Sequence, residues 1–130
     1  MATSRAKKPA GSPIDRLRQL CLALPETSER LSHGEPTFFI REKKTFVMSV
    51  DDHHGDGVLG FWAAAPIGAQ AEWTSVAPER YFRPPYVGHR GWVGVRLDVP
   101  TTDWNEVAEI VTEAYCLVAP KSLAALVRLS

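Results

Sequence analysis

Apolar residues recur along this chain with two distinct periods. Near the N-terminus, Ile14, Leu17, Cys21 and Leu24 are spaced by three or four, with Leu20 widening the stripe. That is the period of one face of a helix. Ser12 stands before it as a cap, Pro13 suits the first helical position, and Asp15 favours the positive end of the helix dipole. Pro25 closes the segment. The pattern predicts a first helix from Pro13 to Leu24.

The period then shortens. Glu29 to His33 reads as a short strand, and Gly34-Glu35-Pro36 breaks the chain. Thr37 to Arg41, Thr45 to Val50 and Val58 to Trp62 are rich in aromatic and β-branched residues, the composition of strands. Glu42-Lys43-Lys44 fits a polar hairpin turn, and Asp51 to Gly57 a second one. Short turns of this kind predict an antiparallel meander, because parallel neighbours need a long crossover. Pro66 to Ser75 stays open between a short helix and irregular structure, with Gly68 against the helix. Tyr81-Phe82 reads as a brief strand. From Gly91 to Leu97 the alternation places Trp92, Gly94 and Arg96 on one face and Val93, Val95 and Leu97 on the other. The second set is expected to face the core.

The clearest helix begins after Asp103. That residue can cap, with Glu106 three positions on as a capping-box partner. Val107, Ile110, Val111, Ala114, Tyr115 and Val118 follow at helical spacing. Pro120 interrupts, and Lys121 to Leu129 reads as a second short helix. Helix, strands, then helices is the order of an α+β domain. The expectation is two layers, an antiparallel sheet with the N-terminal helix and the C-terminal helices packed on one face. A chain of 130 residues is one domain by size. Residues 13–130 are expected to form it, with 1–12 a frayed basic tail.

Charge changes the picture only locally. The net charge is zero, but residues 1–12 hold Arg5, Lys7 and Lys8 without an acid, leaving twelve basic and fifteen acidic residues in the body. A dedicated DNA-binding domain usually has a basic body. The N-terminal segment lacks the apolar stretch of a secretory signal, although its Ser and Arg content has some transit-peptide character. No window has the apolar length of a membrane span. Cys21 and Cys116 sit far apart at helical apolar positions, as buried free thiols of a cytoplasmic protein do.

Candidate chemistry concentrates between Pro78 and Asp98. From Arg80 to Arg96 there are four arginines, one histidine and no acid, interleaved with Tyr81, Phe82, Tyr86 and Trp92. Arg80, Arg83 and Arg90 can pair with phosphates, while Tyr86, His89 and Trp92 shape the surface. Lys43, Lys44 and Lys121 are further cationic candidates, with Lys43-Lys44 at a hairpin tip. The bland reading is that the aromatics pack on the sheet and the arginines bond local acids such as Glu79. Asp51, Asp52, His53, His54 and Asp56 have metal-capable side chains, but their spacing fits no zinc or calcium pattern and their glycines suit a solvated turn. His33 and His89 lack a neighbouring nucleophile or paired acid. No metal, cofactor or catalytic motif is legible, so a non-enzymatic domain is expected.

The block from Arg80 to Leu97 resembles the MmcQ/YjbR family of small bacterial proteins. Leu24-Pro25-Glu26-Thr27 is similar to that family's first-helix exit, and His33 to Phe38 to its first strand entry. Asp103-Trp104, Glu106-Val107, Ala114-Tyr115 and Val118 to Lys121 resemble its C-terminal part. The likeness covers residues 13 to 127. It implies a compact, CyaY-like α+β domain with no catalytic residues. Members are commonly labelled DNA-binding, by likeness to a double-wing arrangement of hairpins, and that label rests on fold analogy. Three partners therefore stand as expectations for the same block: DNA held weakly and salt-dependently, a small anionic ligand gripped by Arg83 or Arg90, or another protein.

Overall fold

Ser12 begins the fold as its residue type predicts. In the computed structural model, which describes residues 11–52 and 57–129, its hydroxyl accepts from the Asp15 N–H at 3.0 Å. Helix α1 follows over Pro13–Leu22 and buries Leu17 and Cys21. It stops two residues earlier than the apolar spacing suggests, and Leu24 is only half-buried. Strand β1 (Thr27–Ser32) leads into β2 (Glu35–Ile40) through His33 and Gly34. Both turn residues have positive φ, 54° and 81°, as a two-residue type I′ hairpin turn requires. Strands β3 (Lys44–Asp51) and β4 (Leu59–Ala63) extend the sheet. His53, His54, Gly55 and Asp56 lie outside the described residues. The flanks of their turn are tied by Asp52, whose carboxylate accepts from Gly57 N–H at 2.6 Å.

Beyond β4 the chain departs from a meander. Helix α2 (Ala69–Val76) resolves the ambiguous stretch, with Gly68 at its N-cap in a left-handed conformation (φ 88°). Strand β5 (Tyr81–Phe82), a 3₁₀ turn over Gly88–Arg90 and strand β6 (Val93–Arg96) follow. The six strands run in the order β1-β2-β3-β4-β6-β5, antiparallel throughout. Thus β6 inserts beside β4, and β5 is left at the edge. The long excursion from Ala63 to Val93 makes this possible, since it lets the chain pass β4 and return.

Register sorts the side chains into two faces. Phe38, Val47, Ala63 and Val93 align across four strands, and Thr37, Met48, Trp62 and Gly94 form the adjacent rank on the opposite face. A bulge at Phe38/Phe39 leaves Phe46 without a cross-strand partner and turns it to the same side as Val47. There its ring meets Tyr115 edge-on at 5.6 Å. Tyr115 belongs to α3 (Trp104–Val118), whose N-cap Asp103 accepts from Asn105 and Glu106 N–H. Helix α4 (Lys121–Leu129) packs on α3 and buries Leu123. Helices α1, α3 and α4 form the second layer, as expected of an α+β fold. Helix α2 sits at the β5 edge, with the Trp73 ring 5.5 Å from Tyr81.

Two expectations need correction. Glu106 does not close a capping box; its carboxylate points to Tyr81 and Arg80. Trp92 does not share an outer face with Arg96, for it is 4% exposed and belongs to the core. The alternation fails there because Trp92 precedes the strand. Cys21 is fully buried, whereas Cys116 is only half-buried.

Candidate functional site

The arginine block is held chiefly by one residue that its own sequence does not contain. Gln70, on α2, donates from Nε2 to the carbonyls of Gly88 (2.9 Å) and Trp92 (2.6 Å). Its Oε1 accepts from Arg83 Nη1 at 3.0 Å. The stem of Arg83 lies against Gly88, where an added Cβ would stand 2.8 Å from Arg83 Cγ. A single amide therefore clamps both ends of the segment 83–92. Nothing in the spacing around Gln70 signals this.

The other guanidiniums are largely committed to the protein. Arg80 Nη1 is 3.1 Å from Glu106 Oε1 and donates to Thr101 O at 3.4 Å. Arg96 Nε is 3.3 Å from Asp98. Arg90 lies exposed over the Trp92 ring at 5.2 Å and pairs with no carboxylate among the described residues. His89 is exposed beside it. Lys43 and Lys44 are exposed at the β2–β3 hairpin, and Lys121 is exposed at the start of α4 in the helical layer. Tyr81 and Glu106 join the two layers, and burial, followed by that hydrogen bond, raises the phenol's pKa above its ordinary value. Among the nine sequence candidates, the structure gathers Arg83, Tyr86, His89, Arg90 and Trp92 into one segment. Arg80 belongs to the α3 contact, and the three lysines lie on separate elements.

Beside Arg80 the surface is acidic. A groove of about 440 Å³ between α2 and α3 is lined by Glu72, Glu106, Glu109 and Glu113 around Trp73 and Tyr81. Such a surface repels a phosphate backbone.

The sheet face opposite the helices holds a different feature. Pro84 is buried, and Pro85 O accepts from Val87 N–H at 2.6 Å around Tyr86, whose φ is 65°. This i→i+2 bond makes a γ-turn with a positive central φ, the rare and strained form. A tyrosine held there costs on the order of 1–2 kcal/mol in backbone strain. The turn sets the Tyr86 ring 6.4 Å from Trp62. Together with Val87 these rings wall a cleft of about 480 Å³. Thr37, Met48 and Val50 line it on the strands, and Ser32, His33 and Glu35 line it at the β1–β2 turn. Its volume lies in the range of small-molecule sites. Among the described residues, no arginine or lysine lines it. Sequence reasoning singled out Tyr86 but missed Trp62, Met48 and Thr37. The available signal was that β2, β3 and β4 are apolar on consecutive positions, so both sheet faces had to be covered.

A six-stranded antiparallel sheet backed by helices, with a cleft on its second face, defines a small α+β domain. The YjbR family model matches residues 22–117, and the chain belongs to that family. The fold is similar to the crystal structure of the Deinococcus radiodurans protein DR2400, which carries a DUF419 domain. That likeness has a TM-score of 0.70 and 21% sequence identity, over 92% of each chain. No curated protein matches the chain. Among the described residues, no helix is long and apolar enough to cross a membrane, and no group of three or more His, Cys, Asp or Glu side chains is placed to hold a metal ion.

Proposed function

We propose that this YjbR-family domain is a non-catalytic module that binds a small ligand in the cleft between Tyr86 and Trp62. One observation carries the reading: a strained γ-turn holds Tyr86 in place as a wall over the sheet. Strain of this kind persists where surrounding structure over-determines it, and it clusters at ligand clamps. Here Pro84, Pro85 and the Gln70 clamp supply that over-determination.

A DNA-contact role draws less support. It needs guanidiniums free to meet phosphates, and Arg80 and Arg96 already face carboxylates while Arg83 binds an amide. Arg90, His89, Lys43, Lys44 and Lys121 remain for it. The bare likeness of hairpins to wings adds no chemistry. An anionic ligand gripped by Arg83 or Arg90 fares no better in this cleft, since neither lines it.

The test is a fragment screen by NMR, reading the indole signals of the four tryptophans. Hits that shift the Trp62 signal, and are lost in Tyr86→Ala, support the module. A parallel titration with duplex DNA across a salt series decides the rival. Affinity that falls steeply with salt, with shifts confined to the Arg90 and Lys43 regions, would replace the cleft reading by DNA binding.

A further inference from the structure

The groove between α2 and α3 has an apolar floor that the protein leaves open. Trp73, Val76, Ala77, Tyr81 and Ile110 line it. Val76 is 77% exposed and Trp73 is only half-buried. The two stand three residues apart on α2, so they share one stripe of the helix. Apolar side chains left open along a concavity have the form of a partner site. The groove follows α3 from Glu106 to Glu113, two helical turns or about 10 Å. That is about the length of three residues of extended chain.

The rim decides the charge of the occupant. Among the described residues, four carboxylates and one guanidinium, Arg80, line the groove. Glu106 is engaged by Tyr81 and Arg80, and Glu113 lies 3.5 Å from Arg128. Glu72 on α2 and Glu109 on α3 are exposed and have no partner among the described residues. Each helix thus contributes one unengaged carboxylate, while the one cation in the lining is already matched by Glu106. An acidic occupant would meet like charge on both sides, whereas a basic one finds a carboxylate on each. The Trp73 ring favours a guanidinium over an ammonium, because arginine both stacks on aromatic faces and forks onto carboxylates.

We infer that the α2–α3 groove docks an extended basic segment of a partner protein, one that carries an apolar side chain between two arginines. With three residues per turn in a polyproline II conformation, the middle side chain points to the floor and its neighbours diverge toward the two rims. The apolar side chain packs on Val76 and Trp73, one arginine meets Glu72 and the other Glu109. Among the described residues, the groove shares no lining residue with the Tyr86–Trp62 cleft, so this surface does not depend on that reading.

Three capped pentapeptides test the assignment: Gly-Arg-Leu-Arg-Gly, Gly-Arg-Gly-Arg-Gly and Gly-Glu-Leu-Glu-Gly. Each is titrated into the full chain at low salt while the Trp73 indole signal is followed by NMR. The first is expected to bind about tenfold more tightly than the second, since only its leucine fills the floor. The acidic peptide is expected not to bind. In the double variant Glu72→Gln, Glu109→Gln the melting temperature is expected to hold, because neither carboxylate has a partner to lose. The first peptide is expected to lose about fivefold in affinity there, with most of its salt dependence. Val76→Ser is expected to bring the first peptide down to the affinity of the second. Equal binding of the two arginine peptides to the unmodified protein overturns the inference, as does affinity unchanged in the double variant. A silent Trp73 signal, or shifts confined to Trp62, overturns the groove as a docking surface. Binding that emerges only when Arg5, Lys7 and Lys8 are replaced by serine overturns the partner protein as occupant and assigns the groove to the chain's own N-terminal segment.

Discussion

Tyr81 donates its phenolic proton to Glu106, joining the edge strand β5 to the first turns of α3. Arg80 approaches the same carboxylate oxygen at 3.1 Å. One acid therefore anchors the first residue of the shortest strand in the sheet and the residue before it. Glu106→Ala should cost about 2 kcal/mol, because it leaves the Tyr81 hydroxyl and a half-buried guanidinium without that partner. Glu106→Gln should cost roughly half as much, since the amide still accepts from Tyr81. Urea denaturation reads both. A loss below about 0.5 kcal/mol for the alanine variant would reduce the contact to an ordinary surface ion pair.

The same pair sets a pH dependence. Burial, then the bond to Glu106, raises the Tyr81 pKa from its ordinary value near 10. The folded chain therefore holds this proton more tightly than the unfolded chain does. The associated stability is complete below about pH 10 and is lost as pH climbs toward the folded value. Tyr115 is shifted the same way, mainly by burial. The urea midpoint should drop steeply above about pH 10, and Tyr81→Phe should make that drop shallower. Identical alkaline slopes in the two proteins would contradict the assignment.

Cys21 is sealed under α1 and its thiol is pushed well above the usual range by burial, with the charge of Glu29 adding to it. The thiolate is the reactive form. A thiol reagent should modify Cys116 first and Cys21 only upon unfolding. Mass spectrometry of a timed reaction distinguishes the two sites. Equal rates in the native protein would mean that α1 opens readily.

Gly60 faces a main-chain carbonyl. A Cβ there would stand 2.0 Å from Val95 O, across the β4–β6 pair. A backbone atom cannot swing aside as a side chain can. Gly60→Ala should cost on the order of 3 kcal/mol or block folding. Gly94→Ala, whose nearest obstacle is the Phe82 ring at 2.4 Å, should cost less than Gly60→Ala. The reverse order in thermal melts would argue that β4 and β6 are spaced more loosely.

Tyr86→Gly separates strain from function. Glycine relaxes the positive φ but adds freedom to the unfolded chain, so the two effects on stability nearly cancel. The variant should melt within a few degrees of the parent, a net change of about 1 kcal/mol or less. Ligand response at Trp62 should be abolished. A large fall in stability would show that Tyr86 is a packing residue and not a wall held in reserve for a ligand.

Several of these features were legible in the chain and others were not. Ser12, Pro13 and Asp103 marked helix starts because capping is a local interaction that depends on residues within one turn. Phe38, Val47, Phe61 and Val95 announced strands through their composition. Glu106 misled for the same reason of locality: three residues after a cap it looked like a capping partner, but Tyr81 and Arg80 compete for its carboxylate from far along the chain. The arginines of the 80–96 block were conspicuous, and their destinations were not. Arg83 meets Gln70 and Arg80 meets Glu106 only after α2 and α3 have packed. The cleft is less legible still, because it exists through the register that aligns Met48 with Trp62 and through a γ-turn that no composition rule forecasts.

The insertion of β6 between β4 and β5 imposes an order of assembly. Strands β1 to β4 can zip together from sequence neighbours, each hairpin closing a short loop. The outer edge of the strongly apolar row Leu59–Ala63 then waits unpaired until Val93–Arg96 has been made and has come back beside it. During that interval the growing chain displays the kind of bare ribbon that recruits other chains. Shielding of this one strand edge during synthesis is therefore expected to influence how much of the protein reaches its folded state.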